Sequence, residues 1–157
     1  MISNWAKARR GDTTKLIWSN AMSVGNKIID AEHEKIIRLV NDVERAIRSR
    51  EADVLTRVFA ILEETILSHF ESEARIARAI GYPFEEHQLE HEYVLGELAT
   101  MKTDLVSKNG RWSESAAEFY YSFLSEWATA HIGIDDMKLK ATLGSYPYDF
   151  MPPDTAK

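Results

Sequence analysis

All five histidines of this 157-residue chain fall on the apolar stripe of a predicted helix, and each of four predicted helices carries at least one of them. The first helix is expected over 30–50. Ile29, Ile36, Val40, Val43 and Ile47 recur at helical spacing there, and His33 fills the gap after Ile29. The second, over 52–80, aligns Val58, Leu62, Ile66 or Thr65, His69, Glu73, Ile76 and Ile80. It stops at Gly81, with Pro83 beyond. The third, over 84–107, aligns His87, His91, Val94, Leu98, Met101 and Leu105 and closes near Asn109-Gly110. The fourth starts near Ser113, a good N-cap, and carries Ala116, Phe119, Tyr120, Phe123, Leu124, Trp127 and His131. Strand signals are weak and the connections short. The expected fold is therefore all-α, an antiparallel up-down-up-down four-helix bundle with an N-terminal loop or arm.

The flanks differ in character. Residues 1–17 read as an arm or linker, with Lys7, Arg9 and Arg10 and no periodicity. Residues 18–143 hold the bundle, and 144–157 form a tail in which Pro147, Pro152 and Pro153 forbid further helix. The stretch 16–27 reads as an extended or looped lead-in. Trp18 within it either covers the bundle's polar centre or anchors the loop. Trp127, Phe123 and Phe119 are expected in the core, as are Tyr120 and Tyr121, with Met101 as a gap-filler.

A net charge of −6 argues against a nucleic-acid partner, which would need a basic surface. With no cysteine, the chain has no disulfide, thiolate zinc site, iron–sulfur cluster or cysteine nucleophile. No apolar run is long enough to span a bilayer, and the polar N-terminus lacks the apolar stretch of a secretory signal, so a cytoplasmic location is expected.

One histidine on an apolar face is commonly a core residue satisfied by hydrogen bonds. Five of five, drawn from all four helices, make a cage, because neutral imidazole is the commonest metal ligand. His87 and His91 are four apart and point the same way from one helix face. His69 and Glu73 share that spacing, and a carboxylate buried in such a stripe needs a compensating charge. His131 and Asp136 are five apart, an offset of roughly 140° on a regular helix. Both can face one centre only if the helix distorts, as in a π-bulge, which Gly133 would permit. Asp135 competes with Asp136, and spacing does not separate them. Five imidazoles and two carboxylates exceed the needs of one tetrahedral zinc. They suit two ions sharing bridges, with iron favoured over manganese and copper.

These residues, in this order, resemble a known family. Val24-Gly25 through Asp30-Ala31-Glu32-His33, then His69-Phe70-Glu71-Ser72-Glu73, then Gly81-Tyr82-Pro83 with His87 and His91, then Trp127 through His131-Ile132 and Asp136 are similar to a bacterial hemerythrin over about 18–143. The resemblance implies two iron ions, ferrous or ferric, with a solvent-derived oxo or hydroxo bridge. His87, His91 and His131 would hold one iron and His33 and His69 the other. Glu73 and Asp136 would bridge them, which selects Asp136 over Asp135. Dioxygen would bind end-on at the iron with two histidines.

Three positions depart from the family pattern. Ala74 stands where a second glutamate usually follows the bridging one, Ala77 replaces a common methionine, and Ala128 replaces a leucine that packs over the oxygen side. The last predicts a roomier or wetter pocket and faster autoxidation. Three functions compete: an oxygen carrier or store, an oxygen or redox sensor domain with a signalling partner, and a peroxidase or nitric-oxide-handling enzyme. The scarcity of carboxylate ligands and the lack of a dedicated acid or base rank binding first and enzyme last. The arm and the Tyr146-Pro147-Tyr148 tail lend some weight to the sensor.

Overall fold

The computed structural model describes residues 16–153. Four long helices run α1 (Lys27–Ser49), α2 (Ala52–Ile80), α3 (Glu85–Lys108) and α4 (Glu114–Ala130), followed by a π turn (His131–Asp135), a 3-10 turn (Asp136–Leu139) and the single-turn α5 (Lys140–Leu143). They form the expected all-α four-helix bundle, and no strand occurs among the described residues. No described helix is long and apolar enough to cross a membrane. The basic arm expected over 1–17 lies almost wholly outside the described residues.

Local chemistry sets the helix ends. Helix α1 starts about a turn earlier than its apolar periodicity predicts, because the Asn26 side chain accepts from the backbone N–H of Ile28 and Ile29 and caps it. Ser113 caps α4 by accepting from Ala116 N, as expected. Gly81 ends α2 in the left-handed region at φ 72°, a conformation glycine adopts without steric cost.

The interior has two apolar clusters, one toward each end of the bundle. The larger joins Ile36, Val40, Val43, Leu55, Phe59, Leu62, Ile66 and Leu98 with residues of α4. The smaller joins Val24, Ile29, Ile76, Ile80, Leu139 and Leu143. Every chain segment that crosses from one cluster to the other carries site residues at the crossing. His33 lies between Ile29 and Ile36, His69 and Glu73 between Ile66 and Ile76, and His131 and Asp136 between Ala128 and Leu139. A polar layer is thus sealed between two dry ones.

Two core expectations need correction. Phe59, not Val58, faces inward from α2, and Val58 only packs against the rim. Phe119 is 66% exposed, because α4 turns its small residues Ala117 and Ala128 inward with Leu124. Trp127, Phe123 and Tyr120 are half-buried against the core, and Met101 is buried in it. Tyr121 packs under the Arg48 guanidinium. The tail beyond 143 forms turns and folds back on the start of α1. Lys27 N donates to the Tyr148 carbonyl at 2.8 Å, and Asn26 Nδ2 donates to the Phe150 carbonyl at 3.1 Å.

Candidate metal centre

The seven residues expected from spacing and, for Asp136, from the family resemblance meet in that polar layer. His33, His69, Glu73 and Asp136 are wholly buried, and His87, His91 and His131 nearly so. On α2 and α3 the i, i+4 spacing works as expected, placing His69 beside Glu73 and His87 beside His91. The segment after α4 solves the five-residue problem by changing pitch. The π turn over His131–Asp135 adds a residue to the turn, and His131 Nε2 and Asp136 Oδ2 come to 2.8 Å. Asp135 is partly exposed, 3.8 Å from Lys138 Nζ, and stays out of the cluster.

Each carboxylate spans the cluster with its two oxygens. Asp136 Oδ2 lies 2.6 Å from His33 Nε2 and 3.3 Å from His69 Nε2, while Oδ1 lies 2.8 Å from His87 Nε2. Glu73 Oε1 lies 2.9 Å from His69 Nε2, while Oε2 lies 3.0 Å from His91 Nε2 and 3.3 Å from His87 Nε2. Two donor groups follow: one of His33, His69, Glu73, His131 and Asp136, the other of His87, His91, His131 and Asp136. His131 belongs to both. It sits 3.1 Å from His69 Nε2, with its ring 5.4 Å from that of His91.

The donor chemistry fits a pair of cations. His69 Nε2 lies 3.1 Å from both His33 Nε2 and His131 Nε2, and a neutral ring nitrogen, with one N–H or one lone pair, can satisfy only one of them, whereas a cation can serve all three. Both Glu73 oxygens and His91 Nε2 are buried and near one another, yet outside hydrogen-bond geometry. Orphaned polar atoms of this kind are costly in a protein interior, and a cation among them supplies the missing partner.

Without metal, protons fill part of that role. Burial works against charge on His69, but Glu73, Asp136 and Glu32 outweigh it and hold its pKa well above the ordinary value. The same contest raises His33, and pushes His87 up to about 10. Burial wins at His91, whose pKa is lowered. Burial also opposes charge on Glu73 and Asp136, yet neighbouring imidazoles, chiefly His69 and His131 respectively, hold both carboxyls well below the usual range.

The hemerythrin HHE cation-binding domain family matches residues 24–143. The chain belongs to the hemerythrin family. It is 25% identical over 122 residues to the bacteriohemerythrin of Pseudomonas aeruginosa strain LESB58, covering 77% of this chain and 76% of that one. It is 26% identical over 136 residues to the bacteriohemerythrin of Stenotrophomonas maltophilia strain R551-3, covering 83% and 86%.

In this hemerythrin-family site the histidines are themselves held by residues that spacing did not reveal. Glu32 Oε2 lies 2.8 Å from His69 Nδ1, and its other oxygen accepts from Ser72 Oγ at 2.7 Å. The Phe70 ring stacks on His91 at 3.6 Å and 3°, Phe84 on His87 at 4.9 Å and 20°, and Trp127 on His131 at 5.1 Å and 19°. Glu32, Phe70 and Ser72 belong to the motif strings, but their partners lie on other helices. Trp18, left between two roles by sequence, has its ring 6.4 Å from that of His33.

Proposed function

We propose that this hemerythrin-family chain holds two iron ions in the seven-residue cluster and binds dioxygen reversibly, as a carrier or store. One observation carries the reading: each of two buried carboxylates turns one oxygen toward His33 and His69 and the other toward the α3 histidines. That is the arrangement two ions sharing bridges require. Following the family pattern, we assign His87, His91 and His131 to one iron, His33 and His69 to the other, and Glu73 and Asp136 to the bridges. The iron pair, when bound with its oxo or hydroxo bridge, supplies the electrons that reversible dioxygen binding needs.

The chain's own residues do the rest. Five imidazoles and two carboxylates give a nitrogen-rich donor set suited to iron. The apolar clusters above and below keep water from the centre. Glu32 is engaged by His69 and Ser72, and Glu73 and Asp136 are taken up by histidines. No acid or base among these is left over to move substrate protons, which favours binding over turnover. Stopped-flow mixing of the reduced, iron-loaded protein with air tests this. A visible charge-transfer band should appear, vanish on deoxygenation and return over repeated cycles. Continuous oxygen consumption without a stable band contradicts it.

A sensor reading has one observation in its favour. Asp30 lies one turn before His33, and its carboxylate accepts from Tyr148 Oη at 3.1 Å, from Ser23 Oγ at 2.5 Å and from Val24 N at 2.9 Å. A shift of α1 at His33 would therefore reach both the lead-in and the tail. Oxygen-dependent hydrogen exchange in both 16–26 and 144–153 would support this reading over simple storage.

A further inference from the structure

We infer that Glu90 and Asp135 form an entry port for metal, which draws hydrated divalent cations along the groove between α3 and the π turn to the buried histidines. The inference rests on the reading of the cluster as a cation site and adds to it the face of the bundle by which the ions arrive.

Four of the seven cluster residues are closed to solvent. His33, His69, Glu73 and Asp136 are 0% exposed, whereas His87, His91 and His131 keep 6%, 5% and 3%. These three open on one side of the bundle. A groove of about 350 Å³ between α3 and the π turn has His91 and His131 in its wall, and a second of about 320 Å³ at the start of α3 has His87. Glu90 lines both grooves, and Asp135 shares the first with it. Glu85 and Glu86 line the second.

Carboxylates at such an opening, with Leu89, Tyr93, Val94 and Trp127 as low-dielectric walls, focus an attractive field on a cation. Acidic groups alone would not make a port, but partners for the ion lie behind this wall. His91 Nε2 and both Glu73 oxygens are buried without hydrogen-bond partners, with Nε2 3.0 Å from Glu73 Oε2. Carboxylate oxygens suit a hydrated ion and imidazole nitrogens suit iron, so the ion is passed inward. Asp135 already faces one cation. Lys138 Nζ stands 3.8 Å from its Oδ1, beyond hydrogen-bond range, where an arriving ion can displace it. The first turn of α3 is the part that gives way. Phe84, its N-cap, makes no side-chain cap bond, so this turn, which carries His87, opens more readily than the capped starts of α1 and α4.

Cobalt(II) is the probe, and its visible absorption on mixing with the iron-free full chain gives the rate and the end point of uptake. At low salt, Glu90→Gln combined with Asp135→Asn should slow uptake about tenfold, the lower end of what a focused field contributes, and added salt should shrink the difference. Lys138→Gln, which removes the competing cation, should speed uptake. Every variant should reach the parental end point, because none of these residues is a ligand. Glu34→Gln removes the same charge on α1, beside Trp18 and Tyr148, and should load at the parental rate. A double variant that loads as fast as the parent would overturn the port. So would equal slowing by Glu34→Gln, which would make the effect one of net charge, or a lowered end point at the parental rate, which would make Glu90 or Asp135 a ligand. A parental chain that takes up no cobalt would overturn the cation-site reading and the port with it, whereas an end point of one ion would overturn the paired-ion reading alone, with the rates still deciding the port.

Discussion

Glu32 and His69 meet across the α1–α2 interface, with Oε2 2.8 Å from Nδ1. A carboxylate at Nδ1 keeps the proton on that nitrogen, turns the Nε2 lone pair toward the centre and raises its basicity. Glu32→Gln keeps the size and removes the charge. It should weaken metal binding by about 10–100-fold in chelator competition, the usual cost of losing such a partner. Ser72→Ala, which frees only the far oxygen of Glu32, should cost less. A Glu32→Gln protein with a lowered melting temperature but parental metal affinity would give Glu32 a packing role only.

The two aspartates after α4 should separate cleanly. Asp136 is buried among histidines and Asp135 is partly exposed beside Lys138. Asp136→Asn should lower the iron content per chain, and Asp135→Asn should leave it unchanged. Metal analysis of the two purified variants decides it, and equal losses would contradict the assignment.

How far the sequence reached depended on whether a signal lay within one helix. Helical spacing places i and i+4 on one face, so His69 with Glu73 and His87 with His91 could be read directly, and the 140° misfit of His131 and Asp136 (roughly, at 100° per residue) announced the π turn. Relationships between helices leave no such trace. The pairing of Glu32 with His69 and the stacking of Phe84 on His87 depend on helix rotation and crossing, which spacing does not encode. Phe119 was misplaced for another reason. Helix α4 is apolar on several faces, so its periodicity does not single out the inward one, where Ala117, Leu124 and Ala128 are buried.

The iron-free and iron-loaded chains should differ in their response to alkali. In the iron-free chain His33, His69 and His87 keep protons above the ordinary value of 6.5, His87 up to about 10. Their contribution to stability is full below pH 6.5 and is lost as the pH rises toward the folded values. Glu73 and Asp136 are held well below 4.5 and 3.8, so their contribution is full above those values and fades in acid. His91, its proton disfavoured by burial, opposes stability below 6.5. Melting temperature in the iron-free chain should therefore fall between pH 6.5 and 10. Bound metal displaces those protons, so the loaded chain should hold its melting temperature there. Parallel melting curves for the two forms would contradict this.

Ala128 should govern the lifetime of the oxygenated form. Ala128→Leu restores the apolar bulk that the family pattern places over the oxygen side, and the visible band should decay more slowly in air. An unchanged lifetime would show that this position does not control autoxidation.

Core packing and the centre should be separable. Phe59 is fully buried in the larger apolar cluster, away from the histidines. Phe59→Ala should destabilise the fold by about 3–5 kcal/mol in denaturant titration, with metal content unchanged at temperatures where the variant stays folded.

Iron content per chain, measured after anaerobic reconstitution and removal of loosely held metal, bears most directly on the claim that imidazoles from four helices share one pair of ions. Two irons per chain are expected, falling together when Glu73→Gln removes a shared carboxylate. A single tightly held ion, or a lone zinc in preference to iron, would contradict it.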